Sequence, residues 1–104
     1  MKLEIRTQDE ELADAFESSA PFGVSVTIRH RSHRGAKVSD VFIVSLEFIK
    51  SAATPLFISL FAAWLGKIAK DKPCQITHRG RDVKPEEESI RRLIKEELEI
   101  GKND

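Results

Sequence analysis

This 104-residue chain holds one cysteine, one tryptophan and no tyrosine, and its formal net charge is zero. A lone Cys74 forms no internal disulfide, which points to a reducing, cytoplasmic setting. The first residues, MKLEIRTQDEELAD, contain no apolar core of a signal peptide and argue against secretion. An aromatic recognition surface would have to be built from Trp64 and six phenylalanines. No apolar run is long enough to span a bilayer. The longest, SAATPLFISLFAAWLG at 51–66, is 16 residues bracketed by Lys50 and Lys67, and a spanning helix needs roughly 17–25. Glu47 and Lys50 block its extension. It reads as a buried helix, with a membrane-active role as the weakest of three functional readings.

Catalytic signatures are missing too. There is no G-x-S-x-G, no glycine loop to cradle phosphate and no carboxylate pair at a meaningful spacing. Cys74 and His78 stand four residues apart in an alternating stretch, so their Cβ atoms lie roughly 13 Å apart along a strand, beyond hydrogen-bond reach. His30, His33, His78 and Cys74 fit no standard zinc spacing, and buried or rim positions explain them more simply. Glu47 and Lys50 in the apolar run read as an exposed stripe. The expectation is a non-enzyme with no metal and no cofactor.

The chain does carry clear periodicities, enough for one domain over 1–104 with a frayed tail at 101–104. Apolar residues make 40% and charged residues 33% of it, a globular composition. KLEIRT alternates as a half-buried strand. Thr7 and Glu10 have capping-box spacing, and Leu12, Ala15 and Phe16 give the following acidic helix its stripe. In FGVSVTIRHR, Phe22, Val24, Val26 and Ile28 face one way while Ser25, Thr27, Arg29 and Arg31 face the other. Residues 40–50 fit either a helix with the stripe Val41, Val44, Leu46, Phe48 and Ile49, or a strand; the helix is preferred. Thr54 and Pro55 start the next helix, whose stripe is Leu56, Phe57, Leu60, Phe61, Trp64, Leu65 and Ile68. Its back is small, with Ser59, Ala62, Ala63 and Gly66, and suits close approach of another helix. CQITHRGRDVK reads as a hairpin turning at Gly80. Pro85 and three glutamates open a last helix with the stripe Ile90, Leu93, Ile94 and Leu98, ending at Gly101. These elements imply an α+β fold: a small three- to four-stranded mixed or antiparallel sheet with helices packed on one face.

Charge is segregated along the chain. Residues 1–28 carry −4, residues 29–81 carry +7 and residues 82–104 carry −3. The stretch RHRSHRGAK at 29–37 concentrates much of the positive part. If the strands pair as expected, Arg6, Arg29, Arg31 and Arg79 share the sheet face turned away from the helices, with Glu4 the only acid. Arg34, Lys37 and Arg81 extend that surface. These seven residues are the candidate partner-binding set. Arginine suits an acidic protein surface. Phosphates are the alternative, but sheet-based RNA readers stack bases on exposed aromatics, and here every aromatic falls in an apolar stripe. A solvated face balanced by acidic helices is the competing structural explanation. The small-residue helix back leaves room for a homodimer.

The segment SLEFIKSAATPLFISLFAAWLGKIAKDKPCQITHRGRDVK, followed by EEESIRRLIKEELE, resembles the effector-associated constant component domains of bacterial conflict systems. The order of elements, Trp64-Leu65 ahead of a basic patch, and Gly80-Arg81 in the hairpin carry the likeness. The resemblance implies a non-catalytic adaptor domain encoded beside a variable effector such as a peptidase or nuclease, and it transfers no catalytic residues. The Ser/Thr/Phe-richer helix and the histidine-bearing basic loop depart from the family pattern. The functional expectation is an adaptor that contacts an acidic protein partner in a defence system. A small nucleic-acid-binding or phage-type inhibitor protein is the alternative.

Overall fold

The computed structural model describes residues 1–32 and 40–102. In chain order the elements are β1 (Lys2–Thr7), α1 (Glu10–Ser19), β2 (Ser25–Ser32), β3 (Asp40–Glu47), a 3-10 turn (Lys50–Ala52), α2 (Pro55–Ala69), β4 (Cys74–His78), β5 (Arg81–Val83) and α3 (Glu87–Lys102). The sheet order is β2-β3-β1-β4-β5, and every neighbouring pair is antiparallel. Two split βαβ units interlock. β1 and β2 run parallel with β3 between them, and β3 and β4 run parallel with β1 between them. That is the ferredoxin-like arrangement, extended by β5 and α3.

The α+β class and the antiparallel sheet match expectation, but the sheet has five strands. The extra strand is β3. Residues 40–47 were expected to favour a helix, yet they pair on both sides, with β1 and with β2. As an interior strand β3 buries both of its faces. Val44 and Leu46 point into the core, and Ile43 and Ser45 are buried on the other side. Apolar residues on both faces erase the alternation that marks a half-wet strand.

The core lies between the sheet and the helices. Leu3 and Ile5 from β1, Val44 and Leu46 from β3, and Ile76 from β4 meet Phe16 of α1, Phe61 and Leu65 of α2, and Ile90 and Ile94 of α3. Phe48, Phe57, Phe61, Trp64 and Phe16 form a chain of ring contacts 5.1–6.1 Å apart. Each contact adds modestly to the area it buries.

Capping follows from local chemistry, with one correction. Asp9, not Thr7, caps α1, accepting from the Glu11 and Leu12 amides. Thr7 ends β1, where its hydroxyl accepts from the Asp9 amide and donates to the Pro73 carbonyl. Thr54 caps α2 with Pro55 in the first turn, as expected. α3 starts at Glu87 and runs through Gly101 to Lys102, past the expected stop. Half of the small back of α2 is covered: Ala62 and Gly66 are buried, Ser59 and Ala63 exposed, and α3 begins against Gly66. A Cβ built on Gly66 would sit 3.0 Å from the Glu87 nitrogen, so any side chain there would press on the backbone where α3 begins.

Two apolar assignments fail. Leu56 and Leu60, expected in the buried stripe of α2, are exposed, and the buried positions are Ile58, Phe61, Ala62, Leu65, Gly66 and Ala69. Phe22, expected to begin β2, lies in the turn before it, fully exposed. A helix that is apolar nearly all round does not announce which side is buried. Among the described residues, no helix is long and apolar enough to cross a membrane.

Candidate interaction surface and a buried ion cluster

Cross-strand partners in an antiparallel sheet share a face, so the register defines the sheet side turned away from the core. Across β2, β3 and β1 one row reads Arg29, Ile43, Arg6, and Arg31 stands opposite Val41 in β2–β3 pairing. Ile43 is buried although it lies outside the core cluster. Two long arginine stems flank it, and such stems cover apolar surface while their guanidinium heads stay in water. Toward the opposite end of the face the rows carry Lys2 and Glu47, then Glu4, Ser45 and Thr27. Glu4 Oε1 lies 3.6 Å from Arg29 Nη2. On the β4–β5 side, Gln75 donates to Asp82 at 2.7 Å.

The candidate basic set therefore divides. Arg6 and Arg29 come together by register on the open face, and position 31 follows two residues on in the same register. Arg34 and Lys37 lie outside the described residues. Arg79 does not join them: its Nη2 donates to Glu97 Oε1 at 2.7 Å, on the helix side. Arg81 pairs with His78, whose side chain is buried on that same helix side. The reason is the hairpin turn. Arg79 and Gly80 have φ of 52° and 79°, the left-handed pair of a two-residue I′ turn. Strand alternation ends at His78, so counting Arg79 as one more strand residue put it on the wrong side. Nor is Glu4 the only acid on the open face. Glu47 and Asp82 share it by register, so positive charge gathers at one end rather than over the whole sheet.

The helix side holds the most polar buried site. Glu97 of α3 is buried at the side-chain level. Its Oε1 meets Arg79 at 2.7 Å and Lys50 Nζ at 3.7 Å, and its Oε2 meets His78 Nε2 at 3.4 Å. The other ring nitrogen, His78 Nδ1, stands 3.0 Å from the Lys2 carbonyl. A carbonyl only accepts, so Nδ1 carries a proton, and Nε2 donates to the carboxylate when the ring is doubly protonated. Burial alone pushes the Glu97 carboxyl up. The His78 hydrogen bond and the Arg79, His78 and Lys50 charges outweigh that and hold it below its ordinary value. The cluster ties α3 to β1, to the β4–β5 hairpin and to the turn after β3.

Lys50, which reads in the sequence as part of an exposed stripe with Glu47, turns instead to Glu97, a residue outside every candidate set. A signal existed, since Glu97 falls seven residues after Ile90, on the stripe of α3 where an apolar side chain belongs. The cluster does not form a catalytic constellation. Its carboxyl is held below its ordinary value by the His78 ring, Arg79 and Lys50, the opposite of a poised general acid. Burial raises the Cys74 thiol, which disfavours the nucleophilic thiolate. His30 shares the inner face but stacks on Phe42 at 4.8 Å, with β3 and β1 between it and Cys74. Among the described residues no three His, Cys, Asp or Glu side chains are placed to hold a metal.

Comparison with protein-family models, with curated proteins and with solved structures finds no match.

Proposed function

We propose that this chain is a non-catalytic protein-interaction domain, an adaptor that couples an effector to its partners in a bacterial defence or conflict system. The partner presents an acidic surface to Arg6, Arg29 and Arg31 and to the basic stretch at 29–37. The observation that carries the binding part is the row Arg29–Ile43–Arg6 on a sheet face opposite the helices. Arginine is the side chain suited to forked recognition of carboxylates. The defence-system part rests on the resemblance of 45–84 and 86–99 to effector-associated constant components. The outward register positions of the five strands hold no aromatic side chain among the described residues. Base stacking on that face therefore has no platform, which favours a protein partner over RNA.

The test uses purified proteins encoded by the neighbouring genes. Arg29→Glu with Arg31→Glu is expected to weaken capture of the cognate partner at least ~10-fold, in line with hot-spot arginines. Undiminished capture refutes the assignment. Tight binding of random oligonucleotides that collapses with added salt would replace it with the nucleic-acid reading.

A further inference from the structure

The open face leaves unexplained the largest exposed apolar side chains: Phe22 at 101%, Leu56 at 70%, Ile49 at 68% and Leu60 at 56%. They are far apart in sequence, but residues beside them meet at one ring, that of Phe57. Gly23, next to Phe22, would place a Cβ 3.5 Å from Phe57. Phe48, next to Ile49, packs its ring 5.1 Å from Phe57. Leu56 precedes Phe57, and Leu60 is one helical turn beyond Leu56. The patch thus continues over the start of α2 and the turns that abut it. At the exposures above, and about 150–200 Å² for a fully exposed large side chain, it presents roughly 500 Å². That reaches the upper range of the largest apolar patches on monomers.

We infer that this patch is the interface of a two-fold homodimer, formed by packing α2 against α2 of a second copy. From Thr54 to Gly66 the helix carries no ionisable side chain, so bringing two copies together sets no like charges against each other. The exposed positions are Leu56, Ser59, Leu60 and Ala63, followed by Lys67, and they alternate large with small. In an antiparallel pairing that sets Leu56 on Ala63 of the second copy, the same register sets Leu60 on Ser59. Each leucine then meets a small side chain, the self-complementarity that an isologous interface requires. Complete burial of all four side chains on both copies would remove about 1,000 Å², which is the threshold for a specific interface, so the turns carrying Phe22 and Ile49 must join the α2 contact. Of the small back of α2 expected to leave room for a dimer, Ala62 and Gly66 are buried, whereas Ser59 and Ala63 stay exposed and join Leu56 and Leu60, leucines expected in the core, in this interface. The arginine row stays outside this interface on each copy, so the dimer offers two arginine rows, and avidity follows if a partner is repeated.

Sedimentation equilibrium of the full chain tests the inference. The wild type is expected at twice 11.8 kDa at ~100 µM, a concentration suited to an interface at the lower size limit. Leu56→Glu with Leu60→Glu is expected to give a monomer with unchanged far-UV circular dichroism. In a Cys74→Ser background, Leu60→Cys is expected to form an intermolecular disulfide under mild oxidation, whereas Lys84→Cys is not. A monomeric wild type overturns the inference. So does a dimer that survives both glutamates. A monomer that binds a neighbouring protein only while Leu56 and Leu60 are intact assigns the patch to a foreign helix and overturns it equally. Arg29→Glu is expected to leave the dimer intact, so loss of partner binding and loss of dimerisation are read separately.

Discussion

Replacing Glu97 with alanine removes the carboxylate on which Arg79, Lys50 and the His78 ring converge. Breaking a fully buried ion pair costs about 3–5 kcal/mol, but that figure does not carry over whole. Arg79 and Lys50 are 69% and 44% exposed at the side chain, and on losing Glu97 they return to water at little cost, each pair contributing under ~1 kcal/mol. His78 is 9% exposed and has no such escape. Its Nε2 is left facing a void, at the ~1–3 kcal/mol typical of a buried group without its partner. The expected loss is therefore about 2–3 kcal/mol, or about 2 M in the urea midpoint of a domain this size. Arg79→Ala is expected to cost under ~1 kcal/mol.

Acid adds a second readout. The folded Glu97 carboxyl titrates below its ordinary value of 4.5, so the native state binds fewer protons than the unfolded chain between the two values. The stability it contributes is complete above the ordinary carboxylate range and is lost as pH falls through the folded value. The gap between wild type and Glu97→Gln is expected to narrow in acid. Urea melts followed by Trp64 fluorescence measure both quantities. A neutral-pH loss in Glu97→Ala below ~0.5 kcal/mol, the usual effect of a surface change, would refute the reasoning. So would a gap that stays constant on acidification.

Gly66→Ala sets helix propensity against contact. Alanine gains up to about 1 kcal/mol in a helix interior, but its Cβ lies 3.0 Å from the Glu87 nitrogen and 3.3 Å from its Cα. Backbone cannot swing aside as a side chain does, so a net loss of about 1–2 kcal/mol is expected in thermal or urea melts; a stabilised variant contradicts the close α2–α3 contact. Cys74, with its thiol raised by burial, is expected to react with iodoacetamide at mildly alkaline pH at least ~10-fold more slowly in the native than in the urea-unfolded chain. Equal rates contradict its placement.

Much of the fold is legible in the sequence because most elements bury one face. The alternation in KLEIRT and in 25–31, the Thr54-Pro55 start, the Gly80 turn and the Ile90–Ile94 stripe each report a boundary between protein and water. Part of the candidate surface is legible for the same reason: Arg6 and Arg29 alternate with core residues and land on one face, with position 31 in the same register. Three features escape this logic. β3 is covered on one side by helices and flanked on the other by arginine stems, so its pattern resembles a helix as well as a strand. Arg79 lies past the end of its strand, where left-handed turn geometry rather than alternation aims the side chain. Leu56 and Leu60 belong to a helix apolar around almost its whole circumference, and chain composition does not say which arc meets the core.

Local pattern thus determined which segments are strands and helices wherever one side is wet, that they share a single core, and that arginines line the outward side of β2. Only the assembled structure decided that residues 40–47 enter the sheet, that Glu97 draws His78, Arg79 and Lys50 together, and that two leucines of α2 remain outside. The physical reason is common to all three. Periodicity records the contrast between two faces of one element, whereas these features depend on which neighbour a second or third element brings to a face that contrast leaves undefined.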